Sequence, residues 1–84
     1  MASRKRIEDL NAYVRDWEVA LATISKIRDR LLQDKARGLT LVDENGIDVL
    51  QDRINETDAA VREHQKILIR MTSLRDRAVN GENV

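Results

Sequence analysis

The sequence predicts an all-α protein, an antiparallel hairpin of two long helices. Three observations point there. Apolar residues recur at steps of three and four along two separate stretches. The chain has no proline and only three glycines, at Gly38, Gly46 and Gly81, so few positions force a break. The stretches are joined by a connection of about eight residues, short enough to make antiparallel neighbours the default.

The first helix is predicted over about residues 4–37. Ile7, Leu10, Val14, Trp17, Leu21, Ile24 and Leu31 occupy the a and d positions of a heptad, with Arg28 standing in the one vacant apolar slot. Tyr13, Ala20 and Ile27 form a neighbouring g track, so the apolar stripe is wider than a two-stranded seam. Ser3 is placed to cap the start, and Gly38 to end the helix in the left-handed conformation.

The second helix is predicted over about residues 45–79. Its a positions are Ile47, Ile54, Val61, Leu68 and Arg75, and its d positions Leu50, Thr57, His64, Met71 and Ala78. Ala60, Ile67 and Leu74 repeat the g track. Asp43 or Asn45 can cap the start, Asn80-Gly81 ends the helix, and residues 80–84 are expected to fray. Between the helices, Leu39-Thr40-Leu41-Val42 is expected to cover the end of the bundle with its side chains. The less favoured alternative is an extended stretch pairing with its copy in another chain.

Folding at the middle of such a connection sets residues whose numbers sum to about 81 opposite each other. Trp17 then meets His64, Val14 meets Ile67, Leu10 meets Met71 and Leu31 meets Leu50. Stripes three tracks wide leave apolar side chains uncovered on a lone hairpin, and a long uncovered strip marks an association surface. The expected remedy is a homodimer forming a four-helix bundle, because two-fold dimers are the commonest oligomers. The expected interface residues, for a second copy or another protein partner, are Tyr13, Trp17, Ala20, Leu21, Ile24, Ile27, Ala60, Ile67 and Leu74.

Charge is balanced overall but not locally. Residues 1–37 hold nine Lys/Arg and six Asp/Glu, net +3. Residues 43–63 hold seven acids against Arg53 and Arg62, net −5. Residues 64–79 hold Lys66, Arg70, Arg75 and Arg77 against Asp76, net +3. The acidic stretch therefore lies beside Lys26, Arg28, Arg30, Lys35 and Arg37, a pattern that fixes orientation more than stability. At the open end, Arg4, Lys5 and Arg6 converge with Arg70, Arg75 and Arg77, with few acids to offset them.

Chemistry-bearing constellations are missing. With no cysteine there is no disulfide and no thiolate to act as nucleophile or metal ligand. His64, the only histidine, lacks the companions a zinc site requires and reads as a satisfied histidine on the seam. Trp17 reads as a packing anchor. Arg28 either specifies register or snorkels along the core edge, with equal claims. The carboxylates lie scattered along a solvated face, and no phosphate loop or nucleophile elbow occurs. No catalytic, metal or cofactor residues are expected, nor any enzyme activity.

The expected function is a non-enzymatic protein–protein interaction module, a small adaptor, assembly factor or inhibitor in the form of a helical-hairpin dimer. The alternative is a nucleic-acid-associated helical dimer gripping phosphates with the basic open end, disfavoured by a net charge of zero. No run approaches the ~20 apolar residues of a membrane span, and the basic start is followed by no apolar signal stretch. A cytoplasmic location is expected.

Overall fold

The computed structural model describes residues 3–84 as two helices, α1 (Arg4–Ala36) and α2 (Leu50–Val79), packed against each other as an all-α hairpin. The molecule measures 57 × 22 × 15 Å. That length follows from 33 residues in α1 at about 1.5 Å each, plus the connecting tip.

The caps explain where the helices start and stop. Ser3 is extended, and its Oγ accepts the Arg6 N–H at 3.1 Å, satisfying one of the donors a helix start leaves free. Both helices end in the same two-bond motif. At α1, Leu39 N–H donates to Asp34 O (3.0 Å) and Gly38 N–H to Lys35 O (3.0 Å). At α2, Glu82 N–H donates to Arg77 O (2.9 Å) and Gly81 N–H to Ala78 O (3.1 Å). The turn needs a left-handed residue, and Gly38 (φ 75°) and Gly81 (φ 90°) supply it without a Cβ clash. The segment expected to fray is thus tied back over its first residues, and Arg77 Nε reaches Glu82 at 3.2 Å.

The connection corrects the sequence expectation. α2 begins at Leu50, not near residue 45, and the segment before it is a miniature hairpin. Val42 and Asp48 form an isolated antiparallel bridge. Val49 N–H donates to Leu41 O (2.7 Å) and Asp43 N–H to Ile47 O (3.0 Å). Asp43 does not cap a helix. Its Oδ1 accepts Asn45 N–H (2.9 Å) and Ile47 N–H (3.0 Å), closing the turn, and Gly46 at φ 80° is incompatible with helix there. Neither Asp43 nor Asn45 opens α2, whose cap position is Val49 with no side-chain cap bond; one residue earlier, Asp48 Oδ1 accepts Leu50 N–H (3.0 Å) and Leu41 N–H (3.4 Å). Asp48→Ala removes both bonds and is expected to cost about 1 kcal/mol, read as a lower urea midpoint at unchanged slope.

Leu39, Leu41 and Val42 do not cover the end of the bundle. They are exposed, as is Ile47 at 59 %, which lies outside α2 and so fills no heptad position. The miniature hairpin holds their backbone away from the seam, and two helix ends offer no cleft for four apolar side chains.

Side-chain pairs near the tip depart from the expected register. Trp17 meets His64 as expected, with ring centroids 5.2 Å apart and planes at 73°. Closer to the tip, however, Arg28 pairs with Asp58 (3.7 Å) rather than lying beside Arg53, and Lys35 Nζ donates to Gln51 Oε1. Both pairs are made by long cationic side chains, which reach residues five positions away from those the Trp17–His64 layer sets opposite them.

The core is thin. Fully buried are Leu10, Val14, Leu50, Ile54, Val61 and Ala78, and α1 has no buried residue beyond Val14. A compact 9.7-kDa monomer exposes about 5,100 Å². The hairpin exposes 6242 Å², an excess of about 1,100 Å² by the same scaling.

Candidate interaction surface

The heptad register decides which side of the hairpin is apolar. In an antiparallel pair the g tracks of both helices border the seam on the same side, and the e tracks border it on the other. One side therefore carries Tyr13, Ala20 and Ile27 from α1 with Ala60, Ile67 and Leu74 from α2. The opposite side carries Asn11, Glu18, Ser25, Gln51, Asp58, Gln65 and Thr72 together with exposed Leu32 and Val79, and the first side also holds Arg6 and Arg53. The first flank is therefore the more apolar of the two near its middle, and the second is polar there.

Exposure separates the expected interface residues into two groups. Tyr13 and Ile27 stand out from the seam, 48 % and 47 % exposed. Trp17, Ala20, Leu21, Ile24, Ala60, Ile67 and Leu74 are half-buried. Leu21, Ile24 and Trp17 serve mainly the intramolecular seam. Sequence reasoning missed further exposed apolar side chains. Val19, Leu32 and Ile69 lie off the stripes, and the four at the tip lie outside the helices.

Polar residues within the stripes satisfy themselves locally. His64 Nδ1–H donates to Ala60 O at 2.7 Å, which places the proton on that nitrogen, and the ring meets Trp17 edge to face. Thr57 Oγ1–H donates back to its own helix, at 3.0 Å from both Arg53 O and Ile54 O.

Arg28 is 28 % exposed in its side chain and runs outward along the seam. Its guanidinium lies 3.7 Å from Asp58 and 3.4 Å from Asp29, and Asp58 also takes Arg62 at 2.8 Å. Buried Nε has no hydrogen-bond partner. The partly covered side chain and outward guanidinium fit snorkelling, and the head makes an ion pair across to α2. The orphaned Nε–H makes the residue costly. Arg28→Met is expected to hold or raise stability, within about 1 kcal/mol, while losing the tie to Asp58. A clear drop in thermal midpoint would show the ion pair to be net stabilising.

Acids near them in the chain hold four of the six cations expected at the open end. Arg4 pairs with Glu8 (3.3 Å), Lys5 with Asp9 (3.3 Å), Arg75 with Asp76 (3.2 Å) and Arg77 with Glu82 (3.2 Å). Among the described residues only Arg6 and Arg70 of the six lack an ion pair. These exposed pairs add little stability, yet they cancel much of the field a phosphate backbone would feel.

Two surface hollows, of about 370 and 530 Å³, are each lined by a single helix, α1 from Lys26 to Arg37 and α2 from Leu68 to Asn80. Neither has an opposing wall. Among the described residues no group of three His, Asp or Glu side chains converges as metal ligands would. No helix there is long and apolar enough to cross a membrane. In comparison with known proteins, the chain matches no family model, no curated protein and no solved structure.

Proposed function

We propose that this protein is a non-enzymatic protein–protein interaction module, an adaptor, assembly factor or inhibitor, that works as a self-associated helical hairpin. The supporting observation is the uncovered apolar flank. An 84-residue chain that buries six apolar side chains leaves Tyr13 and Ile27 protruding beside a half-open row of Ala20, Ala60, Ile67 and Leu74. Water contact along such a row is unfavourable by about 25 cal/mol per Å², and a facing surface of the same kind removes it. The surrounding charges keep the hairpin soluble and restrict which faces can meet.

Light scattering coupled to size-exclusion chromatography tests the reading. A mass of twice the chain at micromolar concentration is expected. A monodisperse monomer, alone and in the presence of cell extract, would remove its basis. The ion pairs at the open end argue against the nucleic-acid alternative.

A further inference from the structure

We propose that the Asn45-Gly46 step at the tip is a site of spontaneous deamidation, where the backbone nitrogen of Gly46 displaces the side-chain amide of Asn45, and that the Asp43 carboxylate latches the turn against it. Three observations carry this assignment, none of which depends on self-association.

The first is chemical. The nitrogen that follows an asparagine can attack that residue's Cγ and close a five-membered ring, unless a side chain on the following residue obstructs the approach. Of the five asparagines, only Asn45 and Asn80 precede glycine. Asn11 and Asn55 lie inside α1 and α2, followed by Ala12 and Glu56, whose N–H groups are committed to the helical ladder.

Exposure is the second observation. Asn45 and Gly46 are both exposed, and residues 37–48 contain no fully buried side chain, so this turn opens without uncovering the core. Space around Gly46 is open as well, since even an added Cβ would meet nothing within 4 Å. Gly81, which follows Asn80, is half-buried, and its turn closes α2 next to buried Ala78.

The third is the latch. Gly46 N–H, the nucleophile, donates to Asp43 O at 3.0 Å. Asp43 Oδ1 holds the amides on either side of it, Asn45 N–H at 2.9 Å and Ile47 N–H at 3.0 Å. Attack requires the Gly46 nitrogen to leave its acceptor and swing toward Asn45 Cγ, which those two bonds resist. The reaction proceeds from the opened turn, so its rate follows how often the latch lets go.

The step balances with water alone. Gly46 N passes its proton to solvent and bonds to Asn45 Cγ, the bond from Cγ to the amide nitrogen breaks, and ammonia leaves. Water then opens the ring. Opening at Cγ gives aspartate, and opening at the backbone carbonyl carbon gives isoaspartate, with the main chain routed through Cγ. Either product adds a carboxylate to a tip that already carries Asp43, Glu44 and Asp48. Isoaspartate also lengthens the main chain between the two amides that Asp43 holds, so the turn can no longer close on both.

The folded protein, incubated in mildly alkaline buffer, is digested after Lys and Arg and read by mass spectrometry. Residues 38–53 then form one fragment whose single asparagine is Asn45. That fragment is expected to gain the mass of exchanging NH2 for OH and to split into two chromatographic forms, with Asn11 and Asn55 unchanged. Asp43→Ala removes the latch and should speed conversion about tenfold, the combined effect of two ordinary hydrogen bonds. Asp43→Asn removes the charge but keeps an oxygen acceptor, so its rate should stay near that of the unaltered chain. Asn80 serves as a clock within the same digest that neither substitution moves, and circular dichroism checks that the helices persist. Equal rates at Asn45 for the two variants would overturn the latch. No conversion at Asn45 in the folded protein or in Asp43→Ala, while the urea-unfolded chain converts there, would overturn the site.

Discussion

Leu10→Ala is expected to lower the stability of the hairpin by about 3 kcal/mol, within the range for truncating a buried leucine. Leu10 is 1 % exposed and, with Val14, forms the only fully buried part of α1. A cavity there removes a large share of a small core, and the rigid helices on either side limit collapse into it. Urea unfolding followed by the fluorescence of Trp17, the single tryptophan, measures the loss. Val19→Ala serves as the comparison. Val19 is exposed on the outer side of α1, and its truncation should cost less than about 0.5 kcal/mol. Equal costs for the two would mean that the seam does not run where the buried residues place it.

Ile27→Asp is expected to abolish self-association while leaving most of the helicity in place. Each interface of a two-fold dimer would hold two such carboxylates, and an uncompensated buried charge costs about 3–5 kcal/mol. One such cost alone weakens association more than a hundredfold. Ile27 is 47 % exposed in the hairpin, so the isolated fold accommodates the charge in water. Val19→Asp makes the same chemical change on a different side of α1 and is expected to leave the dimer intact. Sedimentation across a concentration series reads both. If the two variants dissociate alike, the apolar flank is not the contact surface. Leu21, equally apolar in the sequence, makes a poorer probe because it is half-buried against α2, where a charge would strain the hairpin itself.

Local chemistry made much of the fold legible. Heptad spacing is a property of neighbouring residues, and it located both helices and the Trp17–His64 contact on the seam. Ser3, Gly38 and Gly81 act through bonds to residues three to five positions away, so their capping roles could also be read directly. The tip could not. In Asp43-Glu44-Asn45-Gly46-Ile47-Asp48, Asp43 and Asn45 both fit the local pattern of a helix cap. Neither takes that place, because Asp43 holds the amides of Asn45 and Ile47 across a turn that Gly46 permits, and α2 starts from Val49 with no side-chain cap bond.

The candidate surface divides the same way. The g tracks were visible as rows of Tyr, Ile, Leu and Ala, but a row does not state its own exposure. Tyr13 and Ile27 protrude while Ala60, Ile67 and Leu74 are half-covered, a difference that depends on how the two helices rotate against each other. The basic end was visible as six cations, yet four carry acids one turn away or adjacent in the chain.

By itself the sequence determined two long helices, the caps at Ser3, Gly38 and Gly81, and the seam-facing residues of each helix, because those depend on periodicity and on bonds within a few residues. Only the tertiary structure decided the 13-residue connection between Ala36 and Leu50, the pairing of Arg28 with Asp58, and the exposure of the tip leucines. The connection depends on which of several competing local bonds form together, and the pairings and exposures depend on how the two helices face each other.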